Sequence, residues 1–497
     1  MATAVAPRRG FNRLPRWSRH APPPRKTSNH ILRIDTTLAT RYKHSTIAIA
    51  ITRPIAPEEV IVSASVTCAP ALLTQTAAKL RAGQLDPVAY VAELCDRLDA
   101  TEPQVRALLP EPGRRARLIA EATALRDIHP DPATRPPLYG VVVGVKDIFR
   151  ADGFATGCGS ALPPELFAGP EAVAVTAIRA AGALVLGKTV TTEFASSEPG
   201  PTRNPRALAH TPGGSSSGSA AAVAAGFCPL AFGSQTVGSI IRPAAFCGVV
   251  GFKPSYGRIA TAGVIPYSVS ADHVGLFTQD VAGMRLAAAI LCADWWEGAI
   301  RAARPVLGVP DGPYLAQASR AGLAAFERHL DLLRAGGYTI RRVPAFADIE
   351  EINTRHRRMA LAEMARVHAD WFPRYEARYR PGTVANVRDG RAVGGAELDA
   401  AREGRDRLRA ALETAMRDAG IDLWVCPPAT GTAPVGLDAT GDPIMNLPWT
   451  HAGLPVVTVP AGRDDAGLPF GLQCVAPFGA DERLLAWAES LAEVVGA

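Results

Sequence analysis

The sequence predicts an α/β protein, and three observations carry that expectation. The run Tyr139-Gly-Val-Val-Val-Gly-Val145 is β-branched and apolar on both faces, which suits a strand buried on both sides of a sheet. An Ala-rich segment, residues 171–181, is closed by Gly182 and passes at once into the apolar residues 183–186, so helix and strand follow each other through a short link. Further on, residues 397–418 are amphipathic, with Leu408, Ala411, Leu412 and Ala415 on one face. Gly420 stops that helix, and the buried strand Leu423-Trp-Val-Cys426 follows.

The remaining elements fall into place in chain order. Organised sequence begins near Pro70. Helical apolar spacing runs over residues 72–98, interrupted at Gly83, and Asp86-Pro87 marks a second helix start. Residues 113–126 are an Arg/Ala/Glu-rich helix, and residues 130–137 a proline-bounded loop. The first strand ends at Lys146-Asp147. Residues 201–218 form a long loop that leads into a small-residue helix, residues 220–225, able to bury every face. Val456-Val-Thr-Val459 is a further buried strand. No internal repeat is present.

Composition narrows the function classes. With 47% hydrophobic and 20% charged residues in 497, the chain is globular rather than disordered. No apolar run approaches the ~20 residues needed to span a bilayer. The eight cysteines are scattered without a C-x-x-C pair, which argues against zinc or redox motifs and for core thiols in a reducing, cytoplasmic compartment. The net charge of +6 is uneven: residues 1–60 hold 11 Lys+Arg against 3 Asp+Glu, so the rest is close to neutral and carries no field suited to nucleic acid. Residues 1–65 therefore read as a basic Pro/Arg-rich extension to a working domain over residues 66–497. The extension has the composition of a transit peptide, of a basic arm, or of an upstream stretch outside the working protein, so organelle targeting stays open.

Two motif matches fail on physical grounds. Gly182-Ala-Leu-Val-Leu-Gly187-Lys188-Thr189 fits G-x-x-x-x-G-K-[ST]. Its interior is strand-like and a helix precedes it, so no open phosphate-cradling turn is expected, and Lys188 should be replaceable by Ala with little loss of activity. Gly214-Ser215-Ser216-Ser217-Gly218 fits G-x-S-x-G, but Pro212 and Gly213 deny it the preceding strand of a nucleophile elbow at Ser216.

Three segments taken together say more. They are Gly144-Val-Lys146-Asp147, the Gly/Ser-rich Pro212-Gly-Gly-Ser215-Ser216-Ser217-Gly-Ser219, and Gly233-Ser-Gln-Thr236-Val237-Gly238-Ser239-Ile-Ile-Arg242-Pro243. In this order, with Ser215 and Ser239 24 positions apart, the chain resembles the amidase signature family of serine hydrolases. Thr192-Glu193-Phe194, Asn204-Pro205, Ser268, Asp272, Gly275, Asn446, Trp449 and Gly453-Leu-Pro455 extend the likeness from about residue 72 to the C-terminus.

The resemblance implies a single α/β/α domain with a central mixed sheet covered by helices. It implies a Ser–cis-Ser–Lys triad: Ser239 the nucleophile, Ser215 the bridging serine, Lys146 the base. The chemistry suits these residue types, because a serine hydroxyl needs a base and a lysine is one only when neutral. Lowering a lysine from about 10.4 to near 7 costs about 4–5 kcal/mol, which burial can impose. Backbone N–H groups of Thr236, Val237, Gly238 and Ser239 would form the oxyanion hole. The family usually has Gly where this chain has Val237, and often Asp in place of Gln235; valine keeps its N–H but resists φ > 0. Gly214, Ser216 and Gln235 would support the site. Arg242 would bind a substrate carboxylate or pair with a structural one. His210, His273 and His451 are assigned no chemical step.

The expected activity is hydrolysis of a carboxylic amide to carboxylate and ammonia or amine through an acyl-Ser239 intermediate. No cofactor or metal is implied. The expected partner is a small-molecule amide, with room for a homodimer and none for nucleic acid or membrane. Substrate is expected to enter between the signature core and residues 301–420, which carry no readable specificity code. Two other readings stay open: one component of an amidotransferase drawing ammonia from glutamine, and a weakened family member acting as a binding protein.

Overall fold

The computed structural model describes residues 65–66, 71–296 and 303–496. Residues 1–64 of the basic extension lie outside the described residues. Three helices open the ordered chain: α1 (Leu73–Arg81), α2 (Pro87–Val105) and α3 (Arg114–Ile128). The break at Gly83 is real, and the Asp86 carboxylate accepts from the N–H groups of Val88 and Ala89, with Pro87 at the first helical position.

Ten strands then form one mixed sheet: β1 (Val142–Lys146), β2 (Leu184–Thr189), β3 (Leu230–Gln235), β4 (Val250–Lys253), β5 (His273–Thr278), β6 (Leu307–Asp311), β7 (Ile340–Pro344), β8 (Leu423–Cys426), β9 (Val456–Arg463) and β10 (Pro469–Val475). Their order is β2-β1-β3-β5-β4-β9-β10-β8-β6-β7. β1 is parallel to β2 and β3, β6 is parallel to β7 and β8, and the pairs between these groups are antiparallel.

Helices cover this sheet. α4 (Val173–Ala180) connects β1 to β2, α5 (Ser217–Ala224) connects β2 to β3, and α6 (Ile241–Cys247) connects β3 to β4. α7 (Val281–Leu291) follows β5, and α8 (Arg320–Ala335) connects β6 to β7. The segment between β7 and β8 is helical, with α9 (Ile349–Val367), α10 (Phe372–Tyr375), α11 (Pro381–Arg391) and α12 (Gly395–Ala419). α13 (Leu447–His451) precedes β9, and α14 (Asp481–Val495) closes the described chain. Among the described residues no helix is long and apolar enough to cross a membrane. The cysteines among them are all free and buried.

Two features of this framework place the site. Every residue of α5 is buried, which its Ser, Gly and Ala side chains permit. The sheet beneath is correspondingly bare: a Cβ on Gly233 would lie 2.9 Å from Ser216 Oγ, and one on Gly251 2.5 Å from Ala244 Cβ. Glycines at these strand positions let α5 and α6 approach the sheet closely. On the far side α13 is pinned by Trp449, whose Nε1 donates to Tyr314 Oη at 2.8 Å while that hydroxyl donates to Met445 O at 2.7 Å. The Gly182–Thr189 run is strand β2 over most of its length, as its apolar interior requires.

Candidate active site

β1 delivers Lys146 to the centre of the molecule. Its burial pattern is unbroken, and Lys146 itself has no exposed surface. Nζ lies 2.7 Å from Ser215 Oγ and 2.8 Å from Ser234 Oγ. Both partners are neutral hydroxyls. Burial therefore drives the lysine down to about 7, and the nearby Asp272 carboxylate opposes the shift only in part.

Ser215 follows a cis peptide bond, Gly214–Ser215, immediately before α5. Its carbonyl accepts from Thr192 N at 3.2 Å. The Gly214 carbonyl accepts from Arg242 Nη2 at 2.6 Å, and the same guanidinium donates to Gly441 O at 2.8 Å and Thr440 Oγ1 at 3.1 Å. Arg242 is buried, and burial lowers it to about 10. Its donors go to backbone carbonyls and a hydroxyl rather than to a carboxylate. It serves to hold the Gly214–Ser215 peptide, where the sequence had suggested a substrate or structural carboxylate as its partner.

Ser239 sits at the turn between β3 and α6 and keeps 9% of its surface exposed. Its hydroxyl makes no hydrogen bond among the described residues. Val237, Gly238 and Ser239 also have N–H groups without a partner among the described residues. The next two N–H groups, of Ile240 and Ile241, are taken by Gln235 Oε1 at 2.8 and 3.0 Å, while Gln235 Nε2 donates to Thr450 Oγ1 at 2.9 Å. Gln235 thus caps α6 and leaves the preceding donors free. Val237 is not among the residues with positive φ, so its backbone needs no glycine. At Gly238 a Cβ would collide with Asn446 Oδ1, so that position accepts no side chain.

Ser216 does not face the reacting groups. Its Oγ bridges Ser234 O and Ser234 N at 3.2 and 3.3 Å, tying the start of α5 to β3. Of the histidines, His210 contacts Ala433 O, whereas His273 lines the cavity beside the site and His451 pairs with His356.

Sequence reasoning missed Ser234, the second lysine partner; its signal is a polar residue inside a wholly buried strand. Asp272 entered only as a point of likeness. Its carboxylate accepts from Thr236 Oγ1 at 2.5 Å and from the N–H of Tyr267 and Ser268 at 2.8 and 3.1 Å. Burial raises it to about 6. Thr450 and His356 were also missed, and no sequence pattern marks them.

A cavity of about 230 Å³ opens beside Ser234, Thr236 and Asp272, walled mainly by Ile148, Val264, Tyr267 and Val274. All its lining residues fall within 148–274, so this cavity is made by the core and not by residues 301–420. Ala195, which lines it, and its chain neighbour Phe194 both take positive φ, 58° and 50°, a conformation costing non-glycine residues about 1–3 kcal/mol each.

Comparison with known proteins finds relatives over most of the chain. The amidase family model matches residues 89–485. A glutamyl-tRNA(Gln) amidotransferase subunit from Synechococcus sp. (strain RCC307) is 32% identical over 462 residues, covering 82% of this chain and 93% of that protein. The corresponding protein of Oleidesulfovibrio alaskensis is 45% identical over a shorter 215 residues, covering 42% of this chain and 43% of that protein. Among solved structures, an amidase superposes with a TM-score of 0.78 at 32% identity, covering 86% of this chain and all (100%) of the other. Native peptide amidase from Stenotrophomonas maltophilia gives 0.74 at 26% identity, covering 86% and 98%.

Proposed function

The chain belongs to the amidase signature family, and from that premise we propose that it hydrolyses carboxylic amides with Ser239 as nucleophile, Ser215 as proton relay and Lys146 as base. The observation that carries the assignment is the 2.7 Å contact between Ser215 Oγ and a wholly buried Lys146 that has no carboxylate partner among the described residues. Above about pH 7 the amine is neutral and its lone pair can accept the Ser215 proton while Ser215 accepts that of Ser239. Ser239 Oγ then bonds to the carbonyl carbon, and the negative oxygen is received by the free N–H groups of Val237, Gly238 and Ser239. The proton returns through Ser215 to the amide nitrogen, the C–N bond breaks, and an acyl-Ser239 remains. Water attacks the ester by the same route, and Ser239 regains its proton as the acid leaves.

The cavity supports an uncharged, largely apolar acyl group. Its lining contains no Lys or Arg to meet a carboxylate. The amidotransferase relatives favour a second reading, in which glutamine is the substrate and the ammonia passes to a charged tRNA inside a complex with protein partners. A small-molecule amide, a second copy of the chain as partner and a cytoplasmic location are part of the first reading. Fluorophosphonate labelling followed by peptide mass mapping, with a screen of aryl, aliphatic and peptide amides against glutamine, tests both. Label on Ser239 with turnover of aryl or aliphatic amides is expected. No label would leave only a binding role, and turnover of glutamine alone would favour the amidotransferase.

A further inference from the structure

The carbonyls of the turn leading to Ser239 are each held from behind. Thr236 O accepts from His356 Nε2 at 2.9 Å, Val237 O from Thr450 Oγ1 at 2.7 Å, and Gly238 O from the N–H of Arg242 at 3.1 Å. These peptides are trans, and a trans peptide carries its carbonyl and the following N–H on opposite sides of one rigid plane. Anchoring the three carbonyls therefore turns the N–H groups of Val237, Gly238 and Ser239 the other way, where no protein partner among the described residues meets them. Two of the anchors are local or belong to α13. The third, His356, comes from α9 within residues 301–420.

His356 is wholly buried, and its other ring nitrogen lies 3.2 Å from His451 Nδ1. The two rings meet edge-on at 90°. One proton arrangement of the neutral rings satisfies both contacts. His356 must carry hydrogen on Nε2 to donate to a carbonyl, so its Nδ1 is a lone pair, and His451 Nδ1 must donate to it. His451 Nε2 is then bare, and it is buried without a partner among the described residues. Burial holds His356 and His451 well below the usual imidazole range, at about 4 and about 2, with Arg405 adding to the effect from α12.

We propose that the His451–His356 pair is a positioning device for the reaction: His451 fixes the tautomer of His356, and His356, by holding the Thr236 carbonyl, aims the Val237 N–H at the oxyanion. The proposal rests on the functional reading above.

The test measures fluorophosphonate labelling rate and the dissociation constant of benzeneboronic acid for the wild-type chain, His356→Phe, His356→Gln and His451→Phe, each corrected for the folded fraction. Both probes form a tetrahedral adduct on serine and draw on the same donors. His356→Phe should lose on the order of 10²-fold in labelling and a similar factor in boronate affinity, the scale of one lost oxyanion donor. His356→Gln keeps an amide donor toward Thr236 O and should retain about a tenth of the wild-type rate or more. His451→Phe should fall between them. The proposal is overturned if His356→Phe labels at the wild-type rate per folded molecule, if labelling falls while boronate affinity holds, or if Gln is as damaging as Phe. A wild-type chain that takes neither probe sinks the functional reading and this proposal with it; a reactive wild type with equally reactive His356 variants sinks only the proposal.

Discussion

Lys146 and Lys253 are both wholly buried and both pushed by burial to about 7, yet their surroundings suit them to different tasks. Lys253 Nζ faces the carbonyls of Pro254 and Leu454, which can only accept. Lys146 faces two hydroxyls, which can also give a proton. Activity should therefore rise with pH through about 7, and Lys146→Arg should lose several orders of magnitude, because guanidinium stays protonated. A pH–rate profile and single-turnover kinetics check both. Asp272 raises the lysine, so Asp272→Asn should move the acid limb of kcat/KM to lower pH while its plateau drops with the lost hold on Thr236. An unmoved limb would remove Asp272 from the electrostatics of the base. Stability follows the same ionisation. The folded chain holds Lys146 neutral where the unfolded chain protonates it, so the unfolded state binds more protons between about pH 7 and 10.4 and stability rises with pH across that window. Urea denaturation should show wild type gaining about 4 kcal/mol more than Lys146→Met from about pH 7 to about pH 10, at about 1.36 kcal/mol per unit. Lys146, Ser215 and Ser239 drew attention through the family resemblance that their three segments carry. His356 and Thr450 act across 120 and 213 positions, and such contacts leave no periodic trace.

At the level of elements, the strand pair β1–β2 gives Lys188 a structural partner. The sequence assigned it no phosphate-binding role and expected Lys188→Ala to cost little activity. In the fold its Nζ lies 2.9 Å from Asp147 Oδ1, with both side chains buried, and it also donates to Ala155 O and Thr156 Oγ1. Asp147 directly follows Lys146, so this pair fixes the end of the strand that presents the base. Lys188→Ala would leave a buried carboxylate without its cation, and thermal or urea unfolding should report a loss of about 3–5 kcal/mol. A loss below about 1 kcal/mol would show that the pair contributes little to stability. The strands that the sequence showed, β1, β2, β8 and β9, are buried over most of their length; β3, β4, β5 and β10 are buried too, but each carries a glycine and a polar residue that break its apolar run. α9 was hidden because its inward face mixes Ile352, Met359 and Met364 with Asn353, His356 and Glu363, which blurs the apolar stripe. Its polar inward residues have work to do: Glu363 accepts from Ser268 Oγ, Ser270 Oγ and Arg402, bracing the loop that carries Asp272.

On the scale of the whole molecule, removing residues 1–60 should leave labelling of Ser239 and the melting temperature nearly unchanged, since apolar periodicity begins only after them. A fall of more than about 5 °C, near 2 kcal/mol for a domain of this size, would show that they pack on the body. The sheet order has a consequence for how the protein is made. The strands β2-β1-β3-β5-β4 are consecutive in space and come entirely from residues 142–278, whereas β9-β10-β8-β6-β7 come from residues 307–475, and the two sets meet only where β4 runs against β9. A chain emerging from the ribosome therefore holds the lysine and both serines long before it holds His356, Asn446 or Thr450. Until α9 and α13 have been synthesised and docked, the turn around Ser239 lacks two of its three anchors. Hydrolytic competence thus arrives near the end of translation, with the docking of the second half-sheet, and a truncated nascent chain has the reacting groups without the aim that makes them useful.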